Sequence, residues 1–266
     1  IEMALHHQSQ LDILVTEPCF AQLKLWLKID TGMNRLGFRL AESTSAFEQC
    51  RHAGLNIKVL MSHFACSDDL SKDKTATQFQ ALEEILQQQK GFWPELIVSS
   101  NNSAAVIAWP NVCDHISRPG IMLYGSSPLI SEAPLTTHLK PVMTLKSNII
   151  SSHIVNIGES IGYGDGWIAE KTTRIGIVAI GYGDGYPRSA PSGTPVYCND
   201  KRLSTLGRVS MDMLCIDISE NDDIDVGSEV ELWGENINVN DVAKLCNTIS
   251  YELFCQLTPR VKRVYL

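Results

Sequence analysis

Two tyrosines stand in identical surroundings in this chain. The sextet Ile-Gly-Tyr-Gly-Asp-Gly occurs at residues 161–166 and again at 180–185, and it carries Tyr163 and Tyr182. Glycine adopts the positive φ angles of tight turns, so each copy is predicted to hold its tyrosine at a strand-to-loop junction with the phenol directed outward. A phenol can both donate and accept a proton. The alternative is that both copies are hairpin turns whose tyrosines only pack.

A second group of candidates lies in residues 27–37, LKIDTGMNRLG, where a predicted strand ends in charged and glycine residues. In a barrel of parallel strands this end carries the catalytic loops. Lys28 lies inside the strand and needs a partner or a modification to tolerate burial, whereas Arg35 can clamp a carboxylate bidentately. The alternative is a pair of surface charges beside a turn.

Further polar residues follow the next predicted strands. His63 comes directly after an apolar strand, where a lone histidine is either catalytic or structural. Ser103 precedes a helix, so it is either an N-cap or, with the N–H groups of the helix start, part of a phosphate site. Arg118 and Gly120 end the last predicted strand of this half. Arg118 can point into a barrel mouth, and Gly120 lets a ligand approach the backbone closely.

Two segments nearer the C-terminus give weaker indications. Residues 208–212, RVSMD, contain Met211 between two predicted strands, and the alternative is a simple strand bend. Tyr251 is the other candidate, and the alternative there is a half-buried core tyrosine. No GxGxxG or Walker sequence occurs, so the sequence does not indicate a nucleotide cofactor.

The bulk properties indicate a globular protein that binds small molecules. A chain of 266 residues with 44% hydrophobic content can bury a large core, and we expect two domains. The net charge of -8, with scattered lysines and arginines, argues against a nucleic-acid or membrane partner. Eight dispersed cysteines without CxxC or zinc spacing predict neither disulfides nor a metal site. They indicate reduced core thiols in a cytoplasmic protein, since no signal peptide or membrane-spanning apolar run is found.

The elements that must position these residues fall into two halves. In residues 1–136, strands predicted at 23–29, 57–62, 96–99 and 115–117 alternate with helices at 41–53 and 75–90, which indicates a parallel sheet. This half offers roughly four or five strands, whereas a closed (β/α)₈ barrel needs eight. Either the sheet is open and doubly wound, or the first strands of a barrel lie on another polypeptide.

Residues 137–266 predict a mostly antiparallel β domain, because short β runs alternate with Gly, Asp and Asn turns. A single helix is expected at 239–247. The predicted strands cover residues 143–157, 174–181, 194–198, 203–206, 213–218 and 229–233.

Taken together and in this order, these segments resemble alanine racemase, a family of pyridoxal-phosphate enzymes. The matching pieces are LKIDTGMNRLGF, HFACSDD, SNNSAA, RPGIMLYG, IGYGDGW, IGYGDGYPR, GRVSMDM and ISYELFCQLTPRVKR. The resemblance implies the C-terminal part of a (β/α)₈ TIM-like barrel followed by the β domain. It also implies a homodimer whose active sites combine the barrel of one subunit with the β domain of the other.

The resemblance further assigns a role to each candidate. Tyr163 matches the catalytic tyrosine delivered from the partner subunit, and His63 and Arg118 match the residues beside the cofactor ring and facing its pyridine nitrogen. Lys28 matches a lysine that is carbamylated in some members. The remaining matches are Arg35, Met211 and Tyr182 on the substrate side and Ser103, Gly120, Ile121 and Tyr251 around the cofactor phosphate.

The implied reaction is the interconversion of L- and D-alanine through a pyridoxal-phosphate aldimine, which would supply D-alanine for peptidoglycan. It needs a base on each face of the substrate. A tyrosine, whose ordinary pKa is about 10, becomes a useful base only beside cationic groups, and a chain of hydrogen bonds through His63 and Arg118 can provide them. An arginine at the pyridine nitrogen keeps its proton, so the ring is a weaker electron sink.

One departure from the family concerns the Schiff-base lysine, which other members carry on the first barrel strand in a motif like VVKADAYGHG. No such motif occurs in this chain. We therefore expect that the chain lacks the N-terminal segment of the family and is inactive without it. Two alternatives remain, a non-catalytic binding or assembly module and a fold-related amino-acid decarboxylase. The tyrosine repeat and Arg118 disfavour the decarboxylase.

Overall fold

A computed structural model describes residues 1–110, 112, 115–131 and 138–266. The described chain divides into two compact units. The first unit comprises residues 1–123 and 127–139, and the second comprises residues 124–126 and 140–266. Among the helices of these described residues, none has both the length and the apolarity needed to cross a membrane.

The first unit is built on a parallel sheet with helices between its strands. Within the described residues the strands pair in the order β1-β2-β4-β5, and β3 pairs with β2. The strands are β1 (Glu2–Leu5), β2 (Lys24–Asp30), β3 (Phe38–Arg39), β4 (Asn56–Met61) and β5 (Ile97–Ser99). The α-helices are α1 (Gln8–Thr16), α2 (Ser43–His52), α3 (Lys74–Gln89) and α4 (Ser103–Ala108), and 3₁₀ helices span Pro18–Gln22 and Leu40–Glu42.

The sequence pattern explains these elements. Every second residue of β2 is apolar, and Leu25, Leu27 and Ile29 are buried in the core. On α3 the apolar Leu82 and Ile85 recur at helical spacing and are likewise buried. The sheet therefore fixes a shared register, in which Lys28 of β2 stands beside Met61 of β4, and Met61 stands beside Ser99 of β5. Because all these strands run in parallel, the loops that follow them leave from the same edge.

The second unit is a closed antiparallel barrel whose strands follow the order β10-β7-β6-β11-β8-β9. The strands are β6 (Leu145–Val155), β7 (Thr173–Val178), β8 (Pro195–Cys198), β9 (Lys201–Leu206), β10 (Leu214–Asp217) and β11 (Glu229–Trp233). Two α-helices follow, α5 (Val239–Leu245) and α6 (Ser250–Gln256). The barrel core contains Tyr186 stacked on Trp233, with ring centroids 5.9 Å apart.

Three expectations about local structure are wrong. Residues 115 and 116 form a bend and residue 117 is irregular, so no strand is present, because the N–H groups of His115 and Ile116 both donate to the carbonyl of Val98. A second helix, α6, follows α5 near the C-terminus. Finally, Cys19 and Cys255 are exposed free thiols and are not part of a core, whereas Cys50 is buried as expected. Cys113 lies outside the described residues.

Candidate active site

Four basic side chains meet at the strand ends of the first unit. Lys28, Arg35 and His63 line one small cavity, together with Ser62, which directly follows β4. The Arg118 guanidinium adjoins them, with Nη2 3.4 Å from His63 Nδ1. All four are candidates predicted from the sequence, and they lie in or after three different predicted strands. The charges of Arg35 and Arg118 at this edge of the sheet favour an anionic ligand.

Arg118 is held rigidly although the residues before it form no strand. Its Nη1 donates to Ser99 Oγ at 2.5 Å, and its Nη2 donates to the Ser62 carbonyl at 2.8 Å. Its backbone N–H donates to the Asn101 carbonyl at 2.8 Å. The guanidinium is thus fixed by groups at the ends of both β4 and β5, which orients it more firmly than a single contact could.

The imidazole of His63 is kept neutral by its surroundings. Burial lowers its pKa to about 4, and the nearby Arg118, Lys28 and Arg35 charges act in the same direction. Because an arginine can only donate, His63 Nδ1 is the acceptor of the contact with Arg118. The ring proton therefore lies on Nε2, and His63 offers a polarised N–H donor on the side away from Arg118.

The surroundings of Lys28 disfavour its charged form. Burial lowers its pKa, the Arg118 and Arg35 charges lower it further, and only Asp30 opposes them. Within the described residues, the side chains of Lys28 and Arg35 make no hydrogen bond or ion pair. Both cations are therefore available to an anion that the protein itself does not provide.

Asp30, which the sequence did not nominate, fixes the loop that carries Arg35. Its Oδ1 accepts from the N–H groups of Gly32 at 2.9 Å and Asn34 at 3.0 Å, and its Oδ2 lies 3.4 Å from Arg39 Nη1. Burial tends to raise the Asp30 pKa, but the backbone N–H groups outweigh it, so the pKa is below its usual range. Asp30 thus remains a carboxylate and holds the turn in place.

Ser103 is not the N-cap of its helix, so the interpretation of Ser103 as a cap is wrong. The cap of α4 is Asn102, whose side chain accepts from the Ala105 N–H. The buried Ser103 hydroxyl instead accepts from the Gly120 N–H at 2.8 Å and from the Met122 N–H at 3.4 Å. The structure therefore brings together Ser103 and Gly120, two of the predicted phosphate-binding residues, and Ile121 follows them as a buried residue.

The first copy of the repeat projects Tyr163 into solvent. Tyr163 begins a 3₁₀ helix, Tyr163–Asp165, and 75% of its surface is exposed. The turn is closed by an antiparallel bridge between Ser160 and Ile168, so the hairpin interpretation is correct for the backbone. It is wrong for the tyrosine, which does not pack. The Arg208 side chain packs against the glycines of this turn. A Cβ on Gly164 would lie 3.2 Å from Arg208 Nη1.

The second copy is not equivalent to the first, because it pairs with the segment that carries Met211. The Tyr182 N–H donates to the Ser210 carbonyl at 3.0 Å, and the Gly183 N–H donates to the Met211 carbonyl at 2.7 Å. A Cβ on Gly181 would lie 2.2 Å from the Ser210 oxygen, so this contact requires glycine. Tyr182 and Met211, both predicted to lie on the substrate side, are therefore neighbours with exposed side chains.

Arg260 is another residue that the sequence did not nominate. Its guanidinium bridges two carboxylates, with Nε 3.2 Å from Asp184 Oδ1 and Nη2 2.6 Å from Asp212 Oδ1. Asp184 belongs to the second copy of the repeat, and Asp212 follows Met211. The charge of Arg260 therefore links the two loops that present Tyr182 and Met211. The aspartate within the repeat was the only sequence signal for it.

Tyr251 lies in the first turn of α6 in the second unit. Its side chain is 42% exposed, as the half-buried interpretation expects, but it is not a member of the buried core. Its role at a cofactor phosphate stays a prediction.

Two family profiles match the chain. The profile "Alanine racemase, N-terminal domain" matches residues 1–128, and the profile "Alanine racemase, C-terminal domain" matches residues 142–265. The expectation that the N-terminal segment of the family is lacking is contradicted by the first of these matches. The expectation of an inactive chain, which depended on it, has no support.

Individual relatives agree with the profiles. A curated alanine racemase from Thiobacillus denitrificans is 47% identical over 258 residues, which cover 97% of this chain and 68% of the relative. One from Shewanella frigidimarina is 44% identical over 264 residues, covering 98% of this chain and 69% of the relative.

Solved structures share the fold. The biosynthetic alanine racemase of Pseudomonas aeruginosa has a TM-score of 0.89 at 41% identity, and the match covers 100% of this chain and 73% of that one. The alanine racemase of Bartonella henselae, solved with covalently bound pyridoxal phosphate, has a TM-score of 0.87 at 28% identity, covering 99% and 72%. The predicted fold class, part of a TIM-like barrel followed by an antiparallel β domain, is confirmed.

Proposed function

The chain belongs to the alanine racemase family, which interconverts L- and D-alanine, and we propose that Lys28, Arg35, His63, Arg118 and Tyr163 are the residues through which it does so. The observation that carries this assignment is the meeting of the four basic side chains at one edge of the parallel sheet. Tyr163 is supported by its exposed position on a turn that is closed by the bridge between Ser160 and Ile168.

Members of this family depend on pyridoxal phosphate, and the residues of this chain fit that group. The cofactor is an anion, and the exposed Arg35 is a cation whose side chain has no partner among the described residues. Ser103 uses its oxygen to accept from Gly120, which leaves its O–H for a phosphate oxygen. The space beside Gly120 is open, since no atom lies within 4 Å of where its Cβ would be. We propose Ser103, Gly120, Ile121 and Tyr251 as phosphate-binding residues.

When bound, the cofactor withdraws electrons from the α-carbon of the amino acid. Arg118 is proposed to face the pyridine nitrogen, to which its guanidinium donates a hydrogen bond without giving up the proton. Since Arg118 also donates to His63 Nδ1, it polarises the His63 Nε2–H. That N–H can donate to an ionised phenol and stabilise it, which is the state in which a tyrosine removes a proton.

Tyr163 is proposed as the base on one face of the substrate. The base for the opposite face is not assigned to a residue of this chain. Arg35 is proposed to bind the substrate carboxylate, a pairing that guanidinium groups make bidentately. Tyr182 and Met211 are proposed to line the substrate side from the second unit of a partner subunit, in a homodimer with shared sites. A cytoplasmic location remains a prediction.

The proposal is tested by incubating the purified holoenzyme with L-alanine in D₂O. We expect D-alanine by chiral chromatography and deuterium at the α-carbon by mass spectrometry, because proton removal and return exchange the α-hydrogen with solvent. Alanine that stays both unlabelled and optically pure, with serine and glutamine as comparison substrates equally inert, would overturn the assignment. Release of carbon dioxide from a basic amino acid would indicate the decarboxylase instead.

Lys28 is proposed to carry a carbamate. Its lowered pKa leaves a larger share of neutral amine, whose nitrogen forms a bond to the carbon of CO₂ while one proton leaves to solvent. The product is an anion beside Arg35. We expect a carbamate carbonyl resonance after labelling with ¹³C-bicarbonate, and we expect it to disappear in Lys28→Ala. In that variant, acetate or another small carboxylate should restore part of the lost activity.

The matched control is Lys58→Ala, because Lys58 is on the neighbouring strand but pairs with Glu95. This variant should keep both the resonance and the rate. A resonance that survives Lys28→Ala would assign the carbamate elsewhere.

A further inference from the structure

Gln78 is a buried polar residue of α3 whose amide is fully engaged. Only 1% of its surface is exposed. Its Oε1 accepts from the Ala65 N–H at 2.9 Å, and its Nε2 donates to the His63 carbonyl at 3.0 Å and to Thr31 Oγ1 at 3.2 Å. The helix also buries Thr75 and Gln89, but Gln78 is the buried polar residue of α3 whose side chain has three hydrogen-bond partners among the described residues.

Two of these bonds hold the backbone on either side of Phe64. The His63 carbonyl and the Ala65 N–H both point to the same amide, so Gln78 acts on residues 63–65 as a neighbouring strand would. Phe64 itself is buried between them. The direction in which the chain leaves β4, and with it the position of the His63 ring, is therefore fixed from α3.

The third bond extends the hold to β2. Thr31 Oγ1 lies 2.8 Å from Ser62 Oγ, and Ser62 Oγ donates to the Ile29 carbonyl at 2.9 Å. Thr31 begins the loop that carries Arg35, and a Cβ on Gly32 would lie 3.6 Å from the Gln78 side chain. One continuous chain of hydrogen bonds therefore joins α3, the end of β2 and the end of β4.

We propose that Gln78 is a positioning residue that sets the His63 ring against Arg118 and fixes the base of the Arg35 loop. The inference rests on the proposed roles of these residues. This positioning role explains why α3 buries an amide at residue 78, where a leucine would also fit the core. In a low-dielectric interior such a network is rigid only when every member is satisfied, so a single replacement disturbs both strand ends.

The test compares three variants of the holoenzyme. Gln78→Met keeps the length of the side chain and removes all three bonds, Gln78→Glu keeps the acceptor for Ala65 but cannot donate to the His63 carbonyl, and Gln89→Met is the control. Gln89 is a buried glutamine on the same helix, and no hydrogen bond of its side chain is seen. Thr31→Val, which removes the bonds of Thr31 Oγ1 to Gln78 and to Ser62 but leaves those of Gln78 to residues 63 and 65, serves if Gln78→Met does not fold.

We expect kcat/KM to fall roughly 10- to 100-fold in Gln78→Met, since displacement of a reacting group by about 1 Å has that effect. In the NMR titration of His63, Gln78→Met should move the midpoint because the ring shifts against Arg118, Lys28 and Arg35. Gln78→Glu should raise the midpoint by adding a negative charge. Gln89→Met should change neither the titration nor kcat/KM.

A purely structural role for Gln78 predicts a lower melting temperature in Gln78→Met, with the His63 titration and kcat/KM of the folded fraction unchanged, and that result would overturn the inference. The positioning role and the proposed function can fail independently. If the parent chain does not racemise but Gln78→Met still shifts the His63 titration, the positioning role stands and the proposed function falls. If the parent racemises and neither readout moves, the positioning role falls alone.

Discussion

Replacement of Tyr163 by phenylalanine is expected to lower the rate of racemisation by about 10²- to 10⁴-fold in at least one direction, the usual contribution of one general acid or base. The phenol oxygen is the only atom removed, and the side chain is 75% exposed. The melting temperature should therefore stay within the small range typical of surface substitutions. Initial rates measured separately from L- and D-alanine give the effect in each direction, since a base on one face serves the two directions differently.

Tyr197→Phe is the matched control, because Tyr197 also carries an accessible phenol on the second unit, bonded to Asp200 at 3.3 Å. It should leave both rates unchanged. If Tyr163→Phe also leaves both rates unchanged, Tyr163 is not the base. Unequal loss in the two directions would identify the face on which the phenol acts.

The second large effect is expected at Arg118. Arg118→Met removes the donors to Ser99 Oγ, the Ser62 carbonyl and His63 Nδ1, so kcat should fall by at least the 10²-fold expected for the loss of one preorganised donor. Arg118→Lys restores the charge but not the planar fork and should recover only part of the rate. The His63 pKa, measured by NMR, should rise from about 4 in Arg118→Met, because one of the cations that lower it is gone while burial remains.

The same pKa shift links stability to pH. Folding lowers the His63 pKa from 6.5 to about 4, so between these values the unfolded chain binds a proton that the folded chain does not. The folded state therefore loses stability as the pH falls from 6.5 towards 4. In Arg118→Met this particular loss should be smaller, which thermal melts across that range can measure. Arg174→Met serves as a control, because Arg174 pairs with Asp225 in the second unit and does not act on His63. An identical pH dependence in the parent and in Arg118→Met would show that Arg118 does not act on His63.

Most of the fold could be predicted from the sequence, because the buried face of a long helix or strand produces a periodic pattern of apolar residues. The bounds of β11 were predicted as the structure has them, and α3 differs by one residue at each end. The two-residue strand β3 leaves too short a pattern to detect. The error at residues 115–117 has a different cause: His115 and Ile116 both donate their N–H groups to the single carbonyl of Val98 in β5, and the sequence does not distinguish this arrangement from a ladder.

The sequence predicted the charged residues of the candidate site but not the residues that fix their positions. Lys28 lies within an apolar strand and His63 directly follows one, and that context made both conspicuous, whereas Arg118 was found through a predicted strand at 115–117 that the structure does not contain. Asp30 and Gln78 have roles that depend on which backbone groups come within reach after folding. Both types are ordinary at a turn and on an amphipathic helix, so residue type and spacing gave no sign of either role.

The closed barrel of the second unit has a consequence for how the turn of Tyr163 can change over time. Each of its six strands is paired on both sides, and the turn is inserted between β6 and β7 without contributing a strand to the ring. Insertions at the exposed end of the turn, residues 162–166, would therefore leave the ladder intact. The barrel and the turn of Tyr163 can therefore diverge independently during evolution. Mutations in the turn can change the position of the phenol while the barrel that supports the turn keeps its structure.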